Sequence, residues 1–281
     1  PGVMEFIEKF EWMTGVLVNY DACRRVAYEN VEDAFNEEID YIELRYSPWF
    51  MAEAHHLQPE GVVEAVTDGI RAGERDFDIK VNQLGILSRH YGPRVAMQEL
   101  IAQLRFAGEF VGLDLAGDEA HFPGDWYAEH FKKARDAGWH ITVHAGEAAG
   151  PQSVWQAIKE LGAERIGHAV HAPEDPALLD FLRDERIGIE CNLTSNVQTS
   201  TVADYPSHPL RLFLEKGILA SINTDDPGIS AIDLRYEYEV AAPLAGLTPA
   251  MIRQAQENAL ETAFLSEAEK LALREKKVTK G

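Results

Sequence analysis

The segment 140–168, HITVHAGEAAGPQSVWQAIKELGAERIGH, contains two short apolar, β-branched runs separated by an amphipathic stretch. The runs are HITVH and RIGH, and Pro151 opens the stretch between them, where the first turn of a helix tolerates proline. A strand, a helix and a second strand predict two parallel strands joined by a right-handed crossover. Because the runs end at His144 and His168, we expect two imidazole side chains at one edge of a parallel sheet.

Five further runs of the strand type occur along the chain, each followed by turn residues, and helical patterns fill the gaps between them. This alternation predicts an α/β fold, with Asp21 as the candidate cap of the first helix. The remaining strand-like runs span 41–46, 80–87, 110–115, 187–191 and 218–222. The helical stretches span 21–38, 61–77, 93–106, 125–137, 151–161, 174–185 and 208–216, followed by a helical tail from 248 onward.

Two architectures are compatible with this pattern, an open doubly wound sheet and a (β/α)8 barrel. No G-x-G-x-x-G motif follows a strand, which disfavours a dinucleotide-binding sheet. Polar side chains lie at the C-terminal ends of the strands, where barrel enzymes place their active sites. We therefore predict a single barrel domain over residues 1–281, although only seven strands are recognisable and the segment 6–18 is predicted to be helical.

The composition restricts the partners of the protein. Lys and Arg number 26 and Asp and Glu number 47, so the formal net charge of −21 disfavours nucleic acids and anionic membranes as partners. No apolar run approaches the roughly 20 residues that span a bilayer. Two cysteines, Cys23 and Cys191, are too few for a disulfide framework. We expect a cytoplasmic protein with a small-molecule partner, and the sequence gives no indication of its oligomeric state.

The strand ends at His144 and His168 are candidates for a metal site. Glu147 follows His144 after a glycine that permits a tight turn, so it could reach the same cavity as a proton donor. The alternatives are structural histidines and a glutamate that caps the next helix. Two adjacent strands that both end in histidine favour the shared-site interpretation.

Two other strand ends carry candidate binding residues. Asp225 and Asp226 are neighbouring carboxylates that repel each other unless a cation, a donor or a raised pKa accommodates them. A helix cap before Pro227 is the alternative. Gly117 follows another strand and would let the backbone approach a flat ligand closely. Histidine and aspartate from separate strand ends suit zinc, without excluding other divalent ions, and zinc lowers the pKa of bound water towards about 7.

The motifs at the strand ends and nearby are YIELRYSP at 41–48, LDLAGDE at 113–119, HAGE at 144–147, RIGHA at 165–169, TSN at 194–196 and NTDDP at 223–227. They resemble those of bacterial adenosine deaminases, a family of the metal-dependent hydrolase, or amidohydrolase, superfamily. The resemblance covers essentially the whole chain, with the motifs in the same order. It implies a (β/α)8 barrel with one zinc ion per chain, and hydrolysis of adenosine or 2′-deoxyadenosine to inosine and ammonia in purine salvage.

The resemblance also implies catalytic roles. His144 and Asp225 would be zinc ligands, Glu147 would protonate purine N1, and His168 would orient or deprotonate the water at the zinc. The activated water would attack C6 of the purine, and ammonia would leave.

Two substrate-binding roles follow from the same resemblance. The backbone of Gly117 would donate to purine N3, and Asp226 would be the acceptor that holds the purine at N7. A deaminase of adenine or of a modified purine remains an alternative within the family. A purine-binding barrel without catalysis is an alternative outside it.

The chain departs from the family pattern at one place. The family's first strand carries a His-x-His pair that completes the zinc site, and this sequence contains no such pair. The seven recognisable strands are therefore expected to correspond to strands two to eight, with a gap between the runs 41–46 and 218–222. With only His144 and Asp225 as protein ligands, the chain is expected to bind zinc weakly and to turn over slowly.

Overall fold

Seven parallel strands form one sheet in chain order in the computed structural model, which describes residue 10 and residues 13–280. All seven predicted strands are confirmed, with bounds that differ from the predictions by at most one residue at either end. The strands are β1 (Tyr41–Tyr46), β2 (Lys80–Ser88), β3 (Phe110–Ala116), β4 (His140–Ala145), β5 (Arg165–His168), β6 (Gly188–Cys191) and β7 (Leu219–Ile222).

Side chains from the first strand reach strands near the other end of the sheet, which shows that the sheet is curled. Arg45 in β1 donates to Glu190 in β6, and Glu43 in β1 forms an ion pair with Arg165 in β5. Among the described residues, β1 pairs only with β2 and β7 pairs only with β6. The predicted gap between β1 and β7 is therefore confirmed for the part of the chain that the structure describes.

Helices connect successive strands, as the alternating pattern predicts. None of the helices in the described residues is both long and apolar enough to cross a membrane. The longer helices are Tyr20–Asn36, Pro59–Asp76, Gly92–Leu104, Ala128–Asp136, Pro176–Asp184, Pro249–Thr262 and Glu267–Lys280. Shorter helical segments of six residues or fewer are Pro48–Glu53, Pro151–Gln156, Leu193–Gln198, Leu210–Glu215, Pro227–Ser230, Leu234–Tyr236 and Ala242–Leu244. Turns of π-helix span Ala157–Leu161 and Glu237–Ala241.

Three details differ from the sequence predictions. The first helix is capped by Asn19, whose side chain accepts from the Ala22 N–H at 2.9 Å, and not by Asp21. The predicted helical tail is two helices, because the Phe264 N–H leaves the helical pattern and donates to Glu43 at 2.8 Å. The predicted helix over 6–18 lies partly outside the described residues.

The core consists of apolar side chains between the sheet and its helices, and a second cluster lies between two helices at the start of the chain. The helices Tyr20–Asn36 and Pro59–Asp76 approach closely, since a Cβ atom at Gly69 would lie 2.2 Å from the carbonyl oxygen of Arg24. Only glycine permits this approach.

The interior of the curled sheet contains charged side chains rather than a purely apolar core. Arg45 donates to Asp114 at 3.0 Å and to Glu190 at 2.8 Å, and Arg165 donates to Glu190 at 2.8 Å and pairs with Glu43. We call these five residues the interior ion network. It lies beneath the C-terminal ends of the strands, and Asp114 connects it to the residues described next.

Candidate active site

Three potential metal ligands meet at the C-terminal ends of the strands. His144 lies near the end of β4, His168 ends β5, and Asp225 follows β7. One ligand atom from each lies within 4.8 Å of the other two. The imidazole centroids are 5.0 Å apart, and Nε2 of His168 is 3.9 Å from Oδ2 of Asp225. The shared site that the sequence predicts from two adjacent strand ends is thus geometrically available.

Two of these three residues have strained backbones. His168 has φ of 67° and Asp225 has φ of 58°, in the left-handed region that non-glycine residues rarely adopt. Such conformations persist where the surrounding structure imposes them, and they are typical of functional sites. His168 is the last residue of β5, and Asp225 lies three residues after the end of β7.

Asp114 orients the imidazole of His144. Nδ1 of His144 lies 2.9 Å from Oδ2 of Asp114, so Nδ1–H donates to the carboxylate and Nε2 is directed elsewhere. Metal-binding histidines commonly use one ring nitrogen in this way and bind with the other. Burial lowers the pKa of His144, but the Asp114 carboxylate outweighs it and raises the pKa to about 9. A cation bound at Nε2 would therefore displace a proton.

Glu147 is suited to donate a proton. Its side chain is buried, and Oε1 lies 3.6 Å from Nδ1 of His168. Burial raises the pKa of Glu147, against the opposing effect of His168, which favours the protonated carboxyl. Gly150, not Glu147, is the N-cap residue of the following helix, so the capping alternative is not supported.

The pKa values of the neighbouring carboxyl groups of Asp225 and Asp226 are shifted in opposite directions. Burial alone would raise the pKa of Asp225, but His168 and His144 outweigh it and lower this pKa. Ser195 also donates to the Asp225 carboxylate, at 2.6 Å. Burial and the adjacent Asp225 carboxylate raise the pKa of Asp226 well above its usual range. Asp226 precedes Pro227, but its side chain makes no capping hydrogen bond.

Glu119 holds the loop that carries Glu147. Its carboxylate accepts from four consecutive backbone N–H groups and from the hydroxyl of Ser153. The four donors are Gly146 at 2.6 Å, Glu147 at 3.0 Å, Ala148 at 2.7 Å and Ala149 at 3.1 Å. A carboxylate with this many donors fixes the loop conformation.

Gly117 turns the chain after β3 with φ of 104°, a conformation that favours glycine. A Cβ atom there would lie 2.7 Å from Nδ1 of His90, so a side chain would not fit. Gly117 therefore leaves the backbone without a side chain beside the strand ends, which is the feature that the predicted close approach of a flat ligand needs.

Sequence reasoning did not assign roles to Asp114, Glu119 and Ser195. Asp114 and Glu119 lie in the same motif as Gly117, and Ser195 lies in the TSN motif, so their positions in these motifs were the available signal. His208 is not part of any of these motifs. In the structure it contacts Asn196, which contacts His168.

A curled parallel sheet with two histidines, an aspartate and a buried glutamate of raised pKa at its strand ends is typical of barrel enzymes of the metal-dependent hydrolase class. The adenosine deaminase family profile matches residues 1–280. The chain is 59% identical over 280 residues to the adenosine deaminase of Escherichia coli O1:K1, covering 100% of this chain and 84% of that protein. The chain belongs to the adenosine deaminase family.

Solved structures show the same fold. Adenine deaminase from Arthrobacter aurescens superposes with a TM-score of 0.93 at 21% identity, covering 100% of this chain and 86% of that one. An amidohydrolase from Burkholderia ambifaria with bound zinc superposes with a TM-score of 0.84 at 24% identity, covering 92% and 72%. At these identities the likeness establishes the barrel-type architecture.

Proposed function

We propose that this chain catalyses the hydrolytic deamination of adenosine, and of 2′-deoxyadenosine, to inosine and ammonia, with one zinc ion. The observation that carries the proposal is the convergence of His144, His168 and Asp225 beside the buried Glu147, whose pKa is raised by burial. A purine-binding protein without catalysis has no use for a proton donor at a metal-binding cluster. The family relationship supports the same reaction.

The donor set fits zinc. Imidazole nitrogen and carboxylate oxygen are ligands that zinc accepts, and Nδ1 of His144 is already occupied by Asp114, which leaves Nε2 for the ion. We propose His144 and Asp225 as the ligands. Zinc bound there would lower the pKa of a water molecule towards about 7 and so supply hydroxide at neutral pH.

The protein groups account for the proton transfers. Glu147 donates its proton to purine N1, which makes C6 more electrophilic, and the carboxylate that results can accept a proton from the attacking water. His168 orients that water. Addition of water to C6 and loss of the amino group as ammonia then give inosine, with every atom of the water retained in the two products.

The purine is held by Gly117 and Asp226 in this proposal. The backbone N–H of Gly117 donates to N3. N7 of adenosine carries a lone pair, so the partner at N7 must be a donor, and the role of acceptor inferred by resemblance is revised. The raised pKa of Asp226 supports this revision, because the neutral carboxyl has an O–H to donate.

Incubation of the protein with adenosine and zinc tests the proposal. The expected result is one inosine and one ammonia for each adenosine consumed, with 2′-deoxyadenosine reacting in the same way. Adenine and AMP serve as comparison substrates for the alternatives within the family. Faster release of ammonia from adenine than from adenosine would contradict the nucleoside assignment.

A further inference from the structure

A hydrogen-bond chain begins at His208, a buried residue outside the cluster of potential ligands. The backbone N–H of Leu210 lies 3.1 Å from Nδ1 of His208. A backbone N–H can only donate, so Nδ1 accepts and the ring proton lies on Nε2. Burial lowers the pKa of His208 to about 3, consistent with a neutral ring that carries this single proton.

Asn196 extends the chain towards the active site. Its Oδ1 lies 3.1 Å from Nε2 of His208 and accepts from it. The amide group is therefore oriented with Nδ2 facing Nδ1 of His168, at 2.9 Å. The same Nδ2 donates to the hydroxyl of Thr201 at 3.1 Å. Since the Leu210 N–H fixes the direction of each successive bond, the amide orientation does not depend on an arbitrary choice between oxygen and nitrogen.

Asn192 provides a second, longer contact to the same ring nitrogen. Its Nδ2 lies 3.3 Å from Nδ1 of His168 and 3.3 Å from the carbonyl oxygen of Glu190. A carbonyl can only accept, so the nitrogen of this amide is the atom on that side. Nδ1 of His168 thus faces two N–H donors. The Glu147 carboxyl, at 3.6 Å, is beyond hydrogen-bond distance.

We propose that Asn196 and His208 are positioning residues that fix the tautomer of His168, with no proton on Nδ1 and one on Nε2. The consequence for catalysis rests on the proposed function. Nε2 of His168 lies 3.9 Å from Oδ2 of Asp225, a proposed zinc ligand. An Nε2–H group there can donate to the attacking water beside the ion, so His168 acts as a donor that orients this water. A histidine that binds a metal through Nε2 carries its proton on Nδ1, which the two amides exclude, so the ligand role falls to His144.

Long-range ¹H–¹⁵N correlation spectra of the histidine rings test the proposal directly. The zinc-supplemented protein is labelled with ¹⁵N-histidine, and His168→Gln identifies the resonances of residue 168. We expect Nδ1 of His168 to resonate as an unprotonated nitrogen and Nε2 as a protonated one. A protonated Nδ1, or an Nε2 with the shift of a metal ligand, would overturn the proposal without any further variant.

Variants separate positioning from simple structural support. Asn196→Asp replaces the donor with a second acceptor, so Nδ1 of His168 is expected to gain a proton and kcat to fall about 10- to 100-fold. Thr201→Val removes another partner of the same amide and is the matched control, expected to leave the tautomer unchanged. His208→Gln keeps an N–H near the position of Nε2 and is expected to restore most of the kcat that His208→Leu loses.

The outcomes distinguish this proposal from the proposed function. Lower turnover in Asn196→Asp with an unchanged His168 spectrum would contradict positioning through the tautomer. The predicted His168 spectrum in a protein that does not deaminate adenosine would support the tautomer assignment and count against the reaction.

Discussion

His144 and His168 end adjacent strands, yet their environments give them opposite roles. Nδ1 of His144 faces the carboxylate of Asp114, which can only accept, whereas Nδ1 of His168 faces the amide nitrogen of Asn196, which can only donate. The two rings therefore expose different groups at Nε2. Sequence alone predicted both histidines at the site but not this difference, because the deciding partners come from other strands and loops.

At the same scale, Glu119→Gln tests whether the loop after β4 positions Glu147. The amide retains one acceptor atom but turns an N–H₂ group towards backbone donors, so unsatisfied groups costing about 1–3 kcal/mol are expected. The loop should shift, and turnover of adenosine should fall by more than substrate binding weakens. Separate kcat and KM values measure the effect.

The exposed Glu185→Gln is the matched control for this variant and should leave kcat and KM unchanged. An equal loss in the two variants, or an unchanged kcat in Glu119→Gln, would contradict a positioning role for Glu119.

At the scale of elements, the strands were predictable and the connections less so. Each strand is a short β-branched or apolar run followed by turn residues, so local pattern was sufficient. Short helices such as Pro48–Glu53 and Leu193–Gln198 are too brief to show a helical period, and both were missed. The interior ion network was also not predicted, since it depends on how far the sheet curls.

Arg165→Met tests the contribution of the interior ion network to stability. Arg165 is buried and pairs with Glu43 and Glu190, so its removal leaves two buried carboxylates without this partner. The free energy of unfolding is expected to fall by about 3–5 kcal/mol. Urea unfolding followed by circular dichroism measures it.

Arg183→Met removes an arginine from exposed ion pairs and should change stability by less than about 0.5 kcal/mol. A loss of similar size in both variants would show that the buried network has no special role.

Glu99 links the helix Gly92–Leu104 to the end of β2 and to the start of the helix Pro48–Glu53. Its carboxylate accepts from the N–H groups of Trp49 and Ser88 at 3.1 Å and from the hydroxyl of Ser47. Burial raises the pKa of Glu99 to about 7, although these hydrogen bonds oppose the shift. The ordinary pKa of glutamate is about 4.5, and the pKa of Glu99 in the folded protein is about 7. At pH values between these two, the folded state holds a proton that the unfolded state has lost.

The contribution of Glu99 to stability should therefore decline as the pH rises through this window. In Glu99→Gln this part of the pH dependence should disappear, while the exposed Glu257→Gln should retain it. Tm values measured across the window compare the variants. A pH dependence that is the same in wild type and Glu99→Gln would refute the assignment.

At the scale of the whole molecule, the order of the strands brings residues far apart in sequence to one edge of the sheet. The sequence motifs predicted the barrel-type fold and the residues at its mouth, because reactive groups in barrels lie at strand C-terminal ends. What the sequence could not specify is the set of contacts that tune those groups, such as the pKa difference between Asp225 and Asp226.

Zinc affinity is a property of the assembled molecule. His144 and Asp225 are two proposed protein ligands, whereas catalytic zinc sites generally have three. Competition with a chelator is expected to show weaker zinc binding by this 281-residue chain than by a three-ligand site. His144→Ala should abolish binding, and the exposed His56→Ala should not. Tight stoichiometric binding, unaffected by His144→Ala, would contradict these ligands.

Deamination driven by proton donation from Glu147 is the central claim, and Glu147→Gln tests it most directly. Adenosine turnover and inosine binding are measured in excess zinc for wild type and variant together. We predict that turnover falls by about 100-fold or more, as expected for loss of a general acid, while inosine binding changes little. Turnover that survives Glu147→Gln, or inosine binding without turnover in either protein, would contradict the claim.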